Sequence, residues 1–386
     1  MTGQTERLAI DGGRSIAPYK IPISRVRINR MERDLVDQVM RNGTLREGQL
    51  TKQFSEDFAK YSGAQYGSAV NSGTAALFLA YCAVFPKGSE VLVSNFTHVS
   101  TASMLVASGL KPKLVDTDED TYLITCEAAE KSRSAATKGV VPVHLFGEPV
   151  QIRKISEFVS DYHLKVVYDA AQAHGALCDG TPVGFFGDAS CYSFYPTKNM
   201  TTGEGGMVVT QDSGVFERIE LLKNQGQSSK YWHTAIGYNF RMSEMQSALG
   251  RGQLQSLEEF NMKRRANAKK LSDAISKLEG LHPQEVPPNV FHVFHQYSLK
   301  VDLGRFKMDR DGIVAALEAE NVSCGVHYPH ALSQQPIFSQ LPKTKLPNSE
   351  ALSKMIFSIP VHPHLSEKEL DWEIQALTKV VYAYYK

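Results

Sequence analysis

The feature that most constrains this chain is a series of short apolar runs separated by helix-length spacers between residues 72 and 210. Glu90–Ser94, Lys113–Val115, Gly139–Leu145, Leu164–Tyr168, Ala189–Phe194 and Met207–Thr210 read as strands. Ser72–Val84, Thr101–Ser108 and Ile152–Tyr162 carry helical spacing between them. The runs VVPVHL and LKVVY lack polar alternation, so both of their faces meet apolar neighbours. Strand and helix in this order predict an α/β chain whose largely parallel sheet is covered on both sides.

The chain has 386 residues, 42% hydrophobic and 22% charged, which is enough for more than one core. We expect an N-terminal arm over 1–30, a large domain over 31–250 and a small C-terminal domain over 251–386. Met31–Arg41 and Thr51–Tyr61 have helical spacing, broken by Asn42-Gly43. A long helix over Ser243–Leu278 links the two domains. Beyond it, His295–Val301, Val322–His327 and Phe357–Pro360 read as strands with helices between and after them, an α+β unit.

Charge and cysteine usage narrow the class. Lys and Arg number 42 against 41 Asp and Glu, so no nucleic-acid partner is expected. No apolar run reaches the roughly 18 residues of a membrane helix, so no membrane association is expected. The opening MTGQTERLAIDGG lacks the apolar stretch of a secretory signal. Five scattered cysteines with no CxxC pair predict neither a disulfide framework nor structural zinc, and a cytoplasmic setting. The histidines show no metal-ligand spacing, and HPH at 362–364 reads as a turn, so no metal is expected.

Four segments carry chemistry. Asn71-Ser72-Gly73-Thr74-Ala75-Ala76 is a turn of small residues opening a helix. Free N–H groups there, with the Ser72 and Thr74 hydroxyls, suit a phosphate; an ordinary capped helix has the same look. In Tyr168-Asp169-Ala170-Ala171-Gln172, Asp169 stands where LKVVY ends, and open α/β sheets bind ligands at strand carboxyl ends. A carboxylate there suits a cationic ring nitrogen, or equally a helix N-cap. Ser193-Phe194-Tyr195-Pro196-Thr197-Lys198, followed by a Gly-rich loop to Gly206, sets a lysine among small polar residues. Desolvated, such a lysine suits a Schiff base, although most lysines are solvated surface charges. Gly237–Glu244 reads as a turn into the long helix, with Asn239 and Arg241 at the junction. Together the parts are a phosphate cradle, an acid for a ring nitrogen and an amine for an aldehyde, which is what pyridoxal phosphate (PLP) asks of a protein. The GxGxxG turn of a nicotinamide site does not follow the first strand.

From about Leu8 onward the chain resembles the DegT/DnrJ/EryC1/StrS family of sugar aminotransferases, a branch of the fold-type I PLP enzymes. LAIDGG, NSGTAAL, FTHVSTASML, YDAAQAHGA, SFYPTKNMTTGEGGMVV, GYNFRMSEMQSALG and SIPVHPHLSEKEL carry the resemblance. It implies a mixed, mostly parallel seven-stranded sheet between helices, plus a smaller α+β domain. Lys198 would hold PLP as a Schiff base and then shuttle a proton. Asp169 would pair with the pyridinium nitrogen, and Gln172 would lie near the ring 3-hydroxyl. Thr74, Ala75 and Ser193 would hold the phosphate, and His98 would stack on the ring. Asn239 would reach the phosphate of a neighbouring subunit, which implies a homodimer with shared sites. Arg241 is the implied contact for a donor carboxylate or substrate phosphate. His327 and Tyr328 lie in a stretch resembling the substrate mouth.

Two departures stand out. Tyr168 replaces an acid, on a strand position pointing away from Asp169, and His98 replaces bulkier rings. Lys198 stands where the sugar-dehydrating branch has histidine, which favours transamination. The implied reaction moves an amino group from L-glutamate to a nucleotide-linked 3- or 4-keto hexose. LAIDGG and the basic, proline-containing stretch after it also resemble the branch acting on cyclitol ketones and the aminohydroxybenzoate synthases. A non-catalytic regulator retaining the fold is a third reading, opposed by the presence of Lys198, Asp169 and Gln172.

Overall fold

The computed structural model describes residues 7–386, so the first six residues of the expected arm lie outside it. Its helices are α1 (Arg30–Asn42), α2 (Gln49–Tyr61), α3 (Gly73–Val84), α4 (Val99–Ala107), α5 (Cys126–Ser132), α6 (Ile152–Asp161), α7 (Ser213–Lys223), α8 (Glu244–Ile275), α9 (Arg310–Ala319), α10 (Pro347–Met355) and α11 (Glu367–Tyr384). Its strands are β1 (Tyr66–Val70), β2 (Glu90–Ser94), β3 (Lys111–Val115), β4 (Thr137–Val141), β5 (Lys165–Asp169), β6 (Leu177–Cys178), β7 (Thr181–Pro182), β8 (Ala189–Ser193), β9 (Gly206–Thr210), β10 (Gln227–Ser229), β11 (Trp232–His233), β12 (Leu281–Pro283), β13 (Val290–Phe291), β14 (Tyr297–Val301) and β15 (Ile356–Ile359).

Seven strands form the central sheet, in the order β1-β9-β8-β5-β4-β2-β3. β9 runs antiparallel to both its neighbours, and the pairings from β8 to β3 are parallel. The sheet is therefore mixed and mostly parallel, as the resemblance implied. β5 shows how it is buried. Val167 faces a layer made by α3, Leu105 of α4 and Leu222 of α7. Val166 and Tyr168 face the opposite layer, with Phe54 and Phe58 of α2 and Ile155 of α6. Alternate residues thus enter two apolar layers, which removes the need for polar alternation.

A second sheet, β12-β14-β15, is antiparallel and packs with α9, α11 and the end of α8. Leu8, Ala17 and Ile21 are buried in that same cluster. The buried Glu320 accepts hydrogen bonds from the backbone N–H of Ala9 (2.8 Å) and Ile16 (2.9 Å). The described start of the expected arm is therefore packed against this sheet.

The connecting helix is α8, about 48 Å long at 1.5 Å per residue over its 32 residues. Ser243 and Gln246 form a capping box at its start. Glu244, in its first turn, accepts from the N–H groups of Gly48, Leu50 and Thr51 and from the Thr51 hydroxyl. One buried carboxylate thus caps α2 and fixes it to the root of α8.

Two expectations need correction. Val322–His327 is not a strand: it makes only single bridges, Ile21 with Val322 and Gly325 with Ser358. The apolar run over 139–145 ends as a strand at Val141, because Pro142 has no N–H for the ladder, and Leu145–Gly147 forms a 3-10 turn. β1, α5 and α7 were not anticipated.

Candidate active site

The site lies where β5 and β8 end and α3 and α4 begin. Ser72 caps α3, its Oγ accepting from Ala75 N–H at 3.1 Å. That hydroxyl serves the cap, while Thr74 Oγ1 lies 3.3 Å from Ser100 Oγ. Gly73 brings the first turn of α3 against the end of β8. A Cβ on Gly73 would stand 2.6 Å from Ser193 Cβ and 2.9 Å from its Oγ, so only glycine permits the approach. The helix N-terminus and the Ser193 hydroxyl meet there, an arrangement suited to a phosphate.

Asp169 closes β5 and is 4% exposed. Its Oδ2 accepts from Thr101 Oγ1 at 2.8 Å and its Oδ1 from Ala171 N–H at 3.1 Å. The alternative role as a helix cap is removed, since a turn rather than a helix follows. Among the described residues, no ion pair engages this buried carboxylate within 4.0 Å. Gln172 follows in the turn. Its Oε1 accepts from Phe146 N–H at 2.6 Å, and its Nε2 donates to Tyr328 Oη at 3.1 Å. Tyr168 points to the other face and stacks on His144, with ring centroids 5.0 Å apart.

Lys198 follows β8 in the loop toward β9. Its amine is withdrawn from solvent, which lowers its pKa from 10.5 to about 8, while the Asp169 charge opposes the fall. The next residue is moored. Asn199 Nδ2 donates to Asn261 Oδ1 of α8 (2.8 Å) and to Val293 O (3.0 Å), and Asn199 Oδ1 lies 3.3 Å from His295 Nδ1. His98 is the N-cap of α4, its Nδ1 accepting from Ser100 N–H. Partial desolvation lowers its pKa, with Asp169 opposing and Lys198 adding to the fall. His327 is held at about 4, first by burial and then by the Lys198 and His98 charges. Its ring fits because Gly325 has no side chain: a Cβ there would lie 2.5 Å from His327 Cε1. His98 and Tyr328 face each other with centroids 6.0 Å apart.

The structure therefore gathers Lys198, Asp169, Gln172, His98, His327 and Tyr328 at one place, and Thr74, Ala75 and Ser193 at the adjoining helix start. Two expected residues turn elsewhere in this chain. Asn239 is exposed, and Arg241 Nη1 donates to Asn224 Oδ1 at 2.8 Å. Thr101, Asn261 and His295 were missed by the sequence reading. Thr101 was findable, since it lies three residues after His98 in a helix start aimed at the same strand ends. The other two come from distant segments and left no local signal.

These residues fit PLP. A buried acid without a cationic partner suits the ring nitrogen, a desolvated amine suits the aldehyde, and a glycine-opened helix start suits the phosphate. No cluster of three or more His, Cys, Asp or Glu suited to a metal occurs among the described residues. No helix among them is long and apolar enough to cross a membrane.

Fold and site together define a PLP-dependent aminotransferase of fold-type I. The chain belongs to the DegT/DnrJ/EryC1/StrS aminotransferase family, whose model matches residues 26–378. It is 35% identical over 325 residues to the UDP-N-acetyl-3-dehydro-α-D-glucosamine 3-aminotransferase of Acidithiobacillus ferrooxidans, covering 84% of this chain and 86% of that protein. It is 33% identical over 353 residues to the pleiotropic regulatory protein of Geobacillus stearothermophilus, covering 89% and 93%. The solved structure of DesI in the presence of its TDP-sugar product matches with a TM-score of 0.89 at 26% identity, covering 98% and 97%.

Proposed function

We propose that this enzyme moves an amino group from L-glutamate to the keto carbon of a nucleotide-linked 3- or 4-keto hexose, giving an amino sugar. One observation carries the chemistry: the desolvated Lys198 amine feels the charge of the buried Asp169 carboxylate, which makes no ion pair among the described residues. PLP, when bound, supplies an electron sink for the carbanion at the donor carbon. The chain does the rest. Asp169, oriented by Thr101, keeps a proton on the ring nitrogen. Lys198 holds the cofactor and then moves the proton at the reacting carbon. The start of α3, through Thr74 and Ala75, holds the phosphate with Ser193. Gln172 serves the ring 3-hydroxyl, His98 covers the ring, and His327 and Tyr328 face the substrate.

Nucleotide-linked sugars are favoured because one relative's name carries a UDP-sugar and DesI was solved with a TDP-sugar product. In this reading the working unit is a homodimer. Tyr231, Trp232 and Ile236 are 82%, 67% and 86% exposed, on the segment that leads to the exposed Asn239. Such a patch favours burial against a second copy, with Asn239 and Arg241 delivered to the partner's site. The same reading takes residues 31–250 as the large domain, 251–386 as the small one, and the cytoplasm as the setting.

The test is the visible spectrum of the PLP-loaded protein before and after L-glutamate, followed by UDP- and TDP-linked keto hexoses. Bleaching by glutamate and recovery with a keto sugar is the expected result. A loaded protein that responds to neither class of substrate overturns the reading.

A further inference from the structure

A recess of about 20 Å³ opens beside Lys198, between the N-terminal segment, the lysine loop, α8 and the turn before α11. We propose that it is an oxyanion subsite, taking one carboxylate or phosphate oxygen of a substrate, and this rests on the aminotransferase reading above.

Its lining is one-sided in charge. Arg25, Arg27, Lys198 and Arg264 line it, His364 joins them, and no Asp or Glu does. Arg25 is already neutralised by Glu369, at 2.7 Å. Lys263, just outside, is paired with Glu259. Arg264 and Arg27 have no ion pair among the described residues. Arg264 is 4% exposed, and its Nη1 donates to the Phe294 and His295 carbonyls at 3.1 and 3.4 Å. Its Nε is buried without a hydrogen-bond partner. Burial first, and then Arg27, Lys263, Arg264 and Arg25, hold His364 at about 4, so it is neutral at pH 7 and adds no charge of its own.

A buried guanidinium donor without an acceptor is costly, and a lining of one charge sign favours an anionic oxygen as that acceptor. The recess has room for about one water-sized group. A sugar ring is excluded, and an oxygen of a carboxylate or phosphate is admitted. Lys198 is among the lining residues, so an oxygen held there lies beside the lysine that the proposed reaction uses. Two sources share the chemistry. The donor's carboxylate is bonded to the carbon that loses its amine, and the acceptor's phosphate stands several bonds from its keto carbon.

Arg27→Gln tests this with little risk to folding, since Arg27 is exposed. Arg264→Lys is the second variant, retaining charge but losing the planar fork. We expect PLP loading to match wild type and one KM to rise about tenfold in each variant, the loss of one charged hydrogen bond. A rise in the glutamate KM assigns the donor carboxylate, and a rise in the keto-sugar KM assigns the acceptor phosphate. Calorimetric titration of PLP-loaded protein with sodium sulfate should show binding in wild type that Arg27→Gln loses. Unchanged KM values in both variants of an enzyme that loads PLP and turns over would overturn the subsite alone. A wild type that takes up no PLP overturns the aminotransferase reading and the subsite with it.

Discussion

Thr101, at the start of α4, donates its hydroxyl hydrogen to the Asp169 carboxylate at the end of β5, at 2.8 Å. Among the described residues the Asp169 carboxylate receives one other hydrogen bond, from Ala171 N–H. The orientation of the central acid therefore depends on one side chain from a neighbouring helix. Thr101→Val should lower kcat about tenfold, the scale of one hydrogen bond to a charged group. Thr101→Ser should restore it. Equal kcat in threonine and valine forms, measured by single turnover with glutamate, would remove the orienting role.

Lys198 should show its lowered pKa in the rate at which PLP-free protein captures PLP. Only the neutral amine is nucleophilic, and burial brings its pKa from 10.5 to about 8. Capture should therefore speed up as pH rises through about 8 and level off well below 10.5. Stopped-flow absorbance across that range measures the midpoint. Lys198→Ala should lose both the visible band of the bound cofactor and all turnover.

Gly73→Ala should weaken phosphate binding and stability together. The new methyl would lie 2.6 Å from Ser193 Cβ, so α3 must withdraw from β8. Forced overpacking of this kind costs about 1–3 kcal/mol. Denaturant unfolding should show that loss, and PLP titration should show a raised Kd. A variant equal to wild type in both would refute the close-approach argument.

Trp232→Glu should shift the protein from dimer to monomer in analytical ultracentrifugation, because it places a charge in the exposed apolar segment. Asn239→Ala should leave the dimer intact yet release PLP faster. A protein that is monomeric while fully active would remove the shared-site proposal.

Much of the central architecture was legible because burial on both faces leaves uninterrupted apolar runs. Glu90–Ser94 was placed to the residue, and the strand ending at Asp169 within one. β1 escaped because Tyr-Gly-Ser-Ala-Val has little apolar weight of its own; it is a strand through its antiparallel pairing with β9. α7 is only weakly amphipathic and starts at Ser-Gly, so its pattern was faint. Val322–His327 misled in the opposite direction: its residues are apolar enough for a strand, but its carbonyls and N–H groups find only isolated partners. In the site, Lys198, Asp169 and the α3 start were visible as local patterns. Arg264 was not, because what sets it apart is the absence of an acid near it in space, and a linear sequence does not display that.

The mooring of Asn199 has a consequence for biosynthesis. Its amide is tied to Asn261 and to the Val293 carbonyl, 62 and 94 residues downstream. A nascent chain that has released Lys198 from the ribosome still lacks both anchors. The lysine is synthesised at the midpoint of the polypeptide but becomes fixed only after three-quarters of it has emerged. Products terminated before Val293 lack at least one of the two anchors, and those terminated before Asn261 lack both.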